Sequence, residues 1–264
     1  MPARAGETDI ICIDGKAMRG TTQENGRNPD IVSAYSSNVG ITLATEACKE
    51  KSNEITAVPI LLYKIDVFGN IITADAMCMQ KEIVDKIRRE NGDFVIELKA
   101  NQRSLRYGIE DRLKWHTPVQ EFKEGPALEH GRIETRIYRT YDGLPLIEDT
   151  DKWGGTMTVI EFESLTVKKS TGAQTRERRL YVSSLSADTP ASFFGSVIRR
   201  HWSIESMHWS LVRSIAISSR TGLNARQREL RAISTHFKES CMLSFPSGEA
   251  NARNGRTRPK ALLN

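Results

Sequence analysis

The sequence predicts an α/β protein, a mixed sheet flanked by helices, and three stretches carry that expectation. Ile10 to Ile13 is a short apolar run without helical spacing, bounded by a glycine, which suits a strand buried on both faces. Ile71 to Ala74, Gln80 to Arg89 and Phe94 to Leu98 read as strand, helix, strand, an order that implies a right-handed parallel crossover. His130 to Tyr141 alternates Ile133, Thr135 and Ile137 with Arg132, Glu134 and Arg136, as a strand with one charged face does.

The other elements follow in order. Residues 21 to 30 are polar, with Gly and Pro, and read as a loop. Ile31 to Ser36 and Ile41 to Ala47 flank Asn38-Val39-Gly40, a hairpin signal, so the chain opens with three antiparallel strands. Ser52-Asn53-Glu54 ahead of Ile55, Val58, Leu61, Leu62 and Ile65 predicts a capped amphipathic helix. Pro59 lies inside that pattern and requires either a first-turn position or a kink. Ile83, Val84 and Ile87 share one face of the Gln80 to Arg89 helix, which Gly92 ends, and Leu105 to Trp115 is a further helix. Thr156 to Val167 and Arg178 to Leu185 read as strands, and Ala191 to Leu211 returns to helix. Residues 1–120 are thus expected to be the first part of an α/β domain, 121–185 a mainly β insertion, and 186–211 the helix that returns to that domain. Residues 212–264 form a basic tail with a disordered close.

Composition narrows the function. The 264 residues suffice for a large core, no apolar run is long enough for a membrane span, and no signal-peptide pattern opens the chain. Four scattered cysteines without CxxC spacing argue against zinc and disulfides and favour a reducing cytoplasm. The net charge of +5 is uneven. From Val212 onward there are ten Lys/Arg against three Glu, leaving 28 basic and 30 acidic residues before it. Any nucleic-acid contact made by the body of the protein therefore rests on local patches.

Asp14 and Asp75 each end a predicted core strand. Taken alone, Asp14-Gly15 is more simply a turn. Neighbouring strands lie about 4.8 Å apart, however, so two strand-end carboxylates can share a cation. Hard Mg²⁺ or Mn²⁺ takes oxygen ligands, and two such ions about 3.5–4 Å apart serve phosphodiester chemistry. A third acid must come from an element packed on the sheet, as Glu205 in HWSIESMHW would. Spacing alone is weak evidence, since a chain of this size offers many such triples.

Six blocks sharpen the reading: IDGKAMRG (13–20), KSNEI (51–55), DAMCMQKEI (75–83), KANQ (99–102), HGRIETR (130–136) and RRHWSIESMHW (199–209). In order and content they resemble the DDE transposases of bacterial insertion sequences, in the ISAs branch that includes the H-repeat-associated proteins. The resemblance covers about residues 8 to 211. It implies an RNase H-like fold, a metal-binding triad of Asp14, Asp75 and Glu205 holding two Mg²⁺ or Mn²⁺ ions, and DNA cleavage and joining at transposon ends. It further implies transposon-end and target DNA as partners, in the bacterial cytoplasm near the nucleoid, with no membrane role; a homodimer is left open.

Lys16, Arg19 and Lys99 lie near strand ends on the presumed active edge and suit phosphate contact, although solvated charge is the commoner fate of a single cation. His130, Arg132 and Arg136 are read as a backbone-tracking patch, and Arg200 as a further DNA contact. For Asn101 and Gln102, helix capping and DNA contact both stay open. His201, Glu205 and His208 fall at i, i+4 and i+7 of one helix, so a transition-metal site is a competing reading. The di-iron variant of it needs a second Glu-x-x-His, which the sequence lacks. The two histidines are better read as orienting Glu205 or touching phosphate, and Trp202 and Trp209 as core.

The sequence departs from the family at both ends. Few residues precede Asp14, and after Leu211 the family pattern gives way to Val212-Arg213-Ser214 with no acid before Glu229. A frameshifted tail and a catalytically impaired copy are the expectation. A non-catalytic relic or DNA-binding regulator is the alternative, and a cellular RNase H-like nuclease a weaker third.

Overall fold

Ile10, Ile11, Cys12 and Ile13 are almost wholly buried, because their strand runs through the interior of a sheet covered by helices on both faces. A computed structural model describes residues 8–17, 30–48 and 54–203. β1 (Ile10–Ala17), β2 (Asp30–Ser36) and β3 (Ile41–Ala47) form an antiparallel meander. β4 (Ile71–Ala74) and β5 (Asp93–Leu98) lie on the other side of β1 and run parallel to it. β6 (Gln120–Glu129), β7 (Arg132–Asp142), β8 (Thr158–Lys168) and β9 (Gln174–Ser183) are mutually antiparallel, and β9 docks antiparallel on β5. All nine make one mixed sheet, ordered β3-β2-β1-β4-β5-β9-β8-β7-β6. This mixed α/β architecture is compatible with the RNase H-like fold that the resemblance implies.

Strand alternation sorts the core into two layers. Ile11, Ile13, Ile72, Phe94, Ile96 and Leu98 face α1 (Glu54–Leu62), α2 (Lys81–Arg89) and α3 (Arg103–Leu113). Ile10, Cys12, Ile71, Val95, Ile160, Phe162 and Tyr181 face the opposite way, against Phe194, Val197 and Ile198 of a helix, α4, described over residues 191–203. At about 25 cal/mol per Å² of apolar surface, each fully buried Ile or Phe contributes roughly 1.5–3 kcal/mol, so this two-sided burial dominates the fold.

Pro59 is the sixth residue of α1, not a first-turn residue. The helix forgoes one backbone hydrogen bond there, and burial of Val58, Leu61 and Leu62 offsets that loss. α2 ends where expected. Asn91 takes a left-handed φ of 57°, and Gly92 donates its N–H to the Ile87 carbonyl at 3.0 Å with no room for a side chain beside Val67. β6 has no counterpart in the sequence reading. Gly125-Pro126 breaks its alternation, and the register slips between Glu124 and Ala127. It is the outermost strand, where a proline removes no ladder bond that the sheet needs. Among the described residues no helix is long and apolar enough to cross a membrane.

Candidate functional site

Asp14 and Asp75 come together because β1 and β4 are parallel neighbours. Ile13 pairs with Ala74, so each aspartate is the next residue beyond one aligned row. Asp14 does not end β1, as the apolar run suggested, but lies within it opposite Ser33, with the strand held on to Ala17 by its pairing with β2, and its side chain is 14% exposed. The ammonium of Lys16 lies 3.6 Å from Asp14 Oδ2. Asp75 leads into a 3-10 turn, Ala76–Cys78, whose carbonyls are gripped from the next strand end. Asn101 Nδ2 donates to the Ala76 carbonyl at 2.6 Å, and Gln102 Nε2 donates to the Met79 carbonyl at 2.8 Å. Neither side chain caps α3; both brace the segment that carries Asp75.

α4 reaches the same edge from the opposite layer. The His201 side chain is 11% exposed and that of Asp75 58%, with His201 Nε2 3.5 Å from Asp75 Oδ1, at the outer limit of a hydrogen bond. That imidazole, followed by Lys99 and Arg179, holds the Asp75 carboxyl below its usual range, against the opposing effect of burial. Trp202, next along α4, packs edge-on to Phe162 at 4.9 Å, and the Arg179 guanidinium lies 5.1 Å from its ring centre. Those contacts fix the roll of α4 and hence the place of His201.

One carboxylate at this edge was not singled out from sequence. Glu54, the first residue of α1, lies across Gly15, where a Cβ would overlap its carboxylate. Burial first, then the charges of Asp14, Asp75 and Asp30, raise its pKa above the usual value. Its only sequence signal was a helix-start acid, which a capping role explains equally well. Buried Cys78 lies beneath these acids, its pKa pushed up to about 12 by burial and then by Glu54, Asp75 and Asp14.

The donor chemistry fits a hard divalent cation. The available groups are carboxylate oxygens in one another's field, one of them filling the cradle over Gly15. Among the described residues no three acidic, His or Cys side chains are close enough to share an ion. Glu205, His208 and Arg19 lie outside the described residues, as does the tail from 212 to 264, and with it the expectation of a frameshift.

The other predicted residues spread out. Lys99 pairs with buried Glu97 at 3.0 Å. Arg200 donates to Asn38 Oδ1 at 2.8 Å. Arg136 grips Glu134 with two bonds of 3.0 and 2.7 Å and lies 3.9 Å from Glu124, so its charge is spent within the sheet. Burial lowers and the Glu134 contact raises its pKa, with a net upward result. His130 and Arg132 are exposed at a hairpin tip, away from the two aspartates.

The chain matches the family "Transposase DDE domain" over residues 5–234, a span that runs past Leu211. It is 37% identical over 215 residues to "Putative transposase YncI" of Escherichia coli O157:H7, covering 77% of this chain and 54% of the relative. It is 34% identical over 216 residues to "H repeat-associated putative transposase YhhI" of Escherichia coli (strain K12), covering 78% and 56%. "Putative protein YbfL" of the same strain gives 34% over 216 residues, again with 78% and 56% covered. The chain thus spans little more than half the length of these relatives. Since the family match takes in most of the chain, including both aligned aspartates, the protein belongs to the DDE-domain transposases.

Proposed function

We propose that this chain supplies the catalytic centre of an insertion-sequence transposase, cleaving and joining DNA at transposon ends with the help of divalent metal. The observation that carries the reading is the alignment of Asp14 and Asp75 beyond one paired row of adjacent parallel strands. Asp14 and Asp75, with Glu205, would hold two Mg²⁺ or Mn²⁺ ions. When bound, the ions supply activation of a water or a DNA 3′-hydroxyl and neutralise charge at phosphorus. The chain's own residues do the rest. His201 lies against Asp75 and orients its carboxylate. Asn101 and Gln102 hold the turn that follows Asp75. Lys16 and Lys99 place positive charge along the edge that faces the DNA backbone.

The test is cleavage of a duplex carrying the ends of the surrounding element, with and without Mg²⁺. For an impaired copy the reading expects only weak Mg²⁺-dependent formation of 3′-hydroxyl ends, lost in Asp14→Asn and Asp75→Asn. Duplex binding without cleavage would favour the DNA-binding regulator, and cleavage indifferent to both substitutions would overturn the site.

A further inference from the structure

The arginines of β7 and β9 are mostly neutralised within the sheet. Arg136 pairs with Glu134, Arg139 with Glu121 and Glu163, Arg176 with Glu163, Arg178 with Glu161, and Arg179 with Glu177. The pattern stops at the far ends of the hairpins. Arg132, Lys168 and Lys169 are exposed, and among the described residues none of them forms an ion pair.

Two separate turns bring these charges together. Arg132 and Lys168 are direct partners in the β7–β8 register, and the Lys169 N–H donates to the Gly131 carbonyl at 3.0 Å. The joined tips enclose an open depression of about 420 Å³ lined by His130, Gly131, Arg132, Lys168, Lys169 and Ser170. His130 and Gly131 take φ of 48° and 73°, so the backbone turns sharply at its floor. Among the described residues the lining has three fixed positive charges, a histidine and no acid. A polyanion suits it.

The register also locates the depression. Ala74 aligns with Ile96, and Ile96 with Val182, so Asp75 shares a row with Glu97, Tyr181, Ile160 and Thr140. From that row to the tips is eight residues on both strands, Ile160 to Lys168 (168 − 160) and Thr140 to Arg132 (140 − 132). β9 is antiparallel to β5, so the tips project past the carboxylate edge and not back beneath it. Eight residues at about 3.3 Å each, with three strand spacings of about 4.8 Å sideways, place the tips roughly 30 Å from Asp75. At about 3.4 Å per base step that is roughly nine steps, close to one turn of duplex.

We propose that the joined hairpin tips, with Lys168 and Lys169 as the principal cations, form a second phosphate-contact site for duplex DNA about one helical turn from the scissile phosphate. This rests on the reading of the chain as a DNA-processing enzyme, and the test separates the two. The full-length chain, its Lys168→Glu/Lys169→Glu variant and an Arg89→Glu control are titrated with labelled duplexes of graded length in Ca²⁺ and increasing salt. Arg89 is an exposed cation on α2, remote from the tips in the fold. Wild type and control should gain affinity sharply once the duplex exceeds roughly nine base pairs, and the double variant should lack that step. On long duplexes the double variant should bind at least tenfold more weakly, with its salt slope reduced by about two. If wild type binds no duplex at all, the enzyme reading fails and this inference with it. If wild type binds but the double variant matches the control at every length, the inference alone is overturned.

Discussion

The carboxylate of Glu54 occupies the space in which a side chain at position 15 would begin, and the charges of Asp14 and Asp75 bear on it. A group whose folded-state pKa is raised binds its proton more tightly when folded. Its ionisation therefore costs stability, progressively, as pH rises from the ordinary carboxylate value of 4.5 through the raised one. A bound cation would relieve that cost. Glu54→Gln should therefore raise the melting temperature of the metal-free protein at neutral pH. The stabilisation by added Mg²⁺ should shrink in the same variant. Gly15→Ala should fold, because the overlapping atoms are the mobile end of a glutamate, yet it should lose the Mg²⁺ response by pushing that carboxylate aside. Thermal melts of both variants with and without Mg²⁺ check this; an unchanged metal-free melting temperature in Glu54→Gln would count against the crowding. Glu54 shows a limit of sequence reading, since an acid at a helix start serves a cap and a site alike. Asp14 and Asp75 were legible because an acid ending a buried apolar strand is expensive unless something meets it.

Among the elements, β8 carries acids into a nearly closed environment. Glu163 is 11% exposed and meets Arg176 at 2.6 Å and Arg139 at 3.1 Å, and the Arg176 contact leads in holding its pKa below the usual 4.5. A depressed pKa contributes stability that is present above 4.5 and is lost as pH falls through the folded-state value. Glu163→Gln should therefore be less stable than wild type at pH 7, by roughly 1 kcal/mol given that Arg176 is largely exposed. The gap should narrow as pH falls through the folded-state value. Urea midpoints at pH 7 and at acid pH measure this, and a constant gap would contradict it. These strands also show which elements a sequence discloses. β1, β4 and β5 were readable as uninterrupted apolar runs, and α2 as a one-faced helix ending at Gly92, since burial on two faces or one leaves those patterns. β6 was not, because Gly125-Pro126 and the slip beside it erase alternation in a strand that only the sheet edge tolerates. The neutral pairing of Arg136 was equally hidden, since alternation identified its strand and not the Glu134 fork.

In the molecule as a whole, the sheet divides labour between its two halves. β1 to β5 hold the aspartates at one edge, and β6 to β9 carry the chain past that edge and return it as α4, whose His201 closes on Asp75. On the proposed reading this edge gathers cations, which would offset the charge of Asp14 and Asp75 that bears on Glu54. The most direct measurement is a titration of the full-length chain with Mn²⁺, followed by electron paramagnetic resonance and repeated with Mg²⁺ as competitor. Saturable Mn²⁺ binding, displaced by Mg²⁺ and weakened at least tenfold in both Asp14→Asn and Asp75→Asn, is the predicted result; binding that is absent, or that survives both substitutions unchanged, would contradict it.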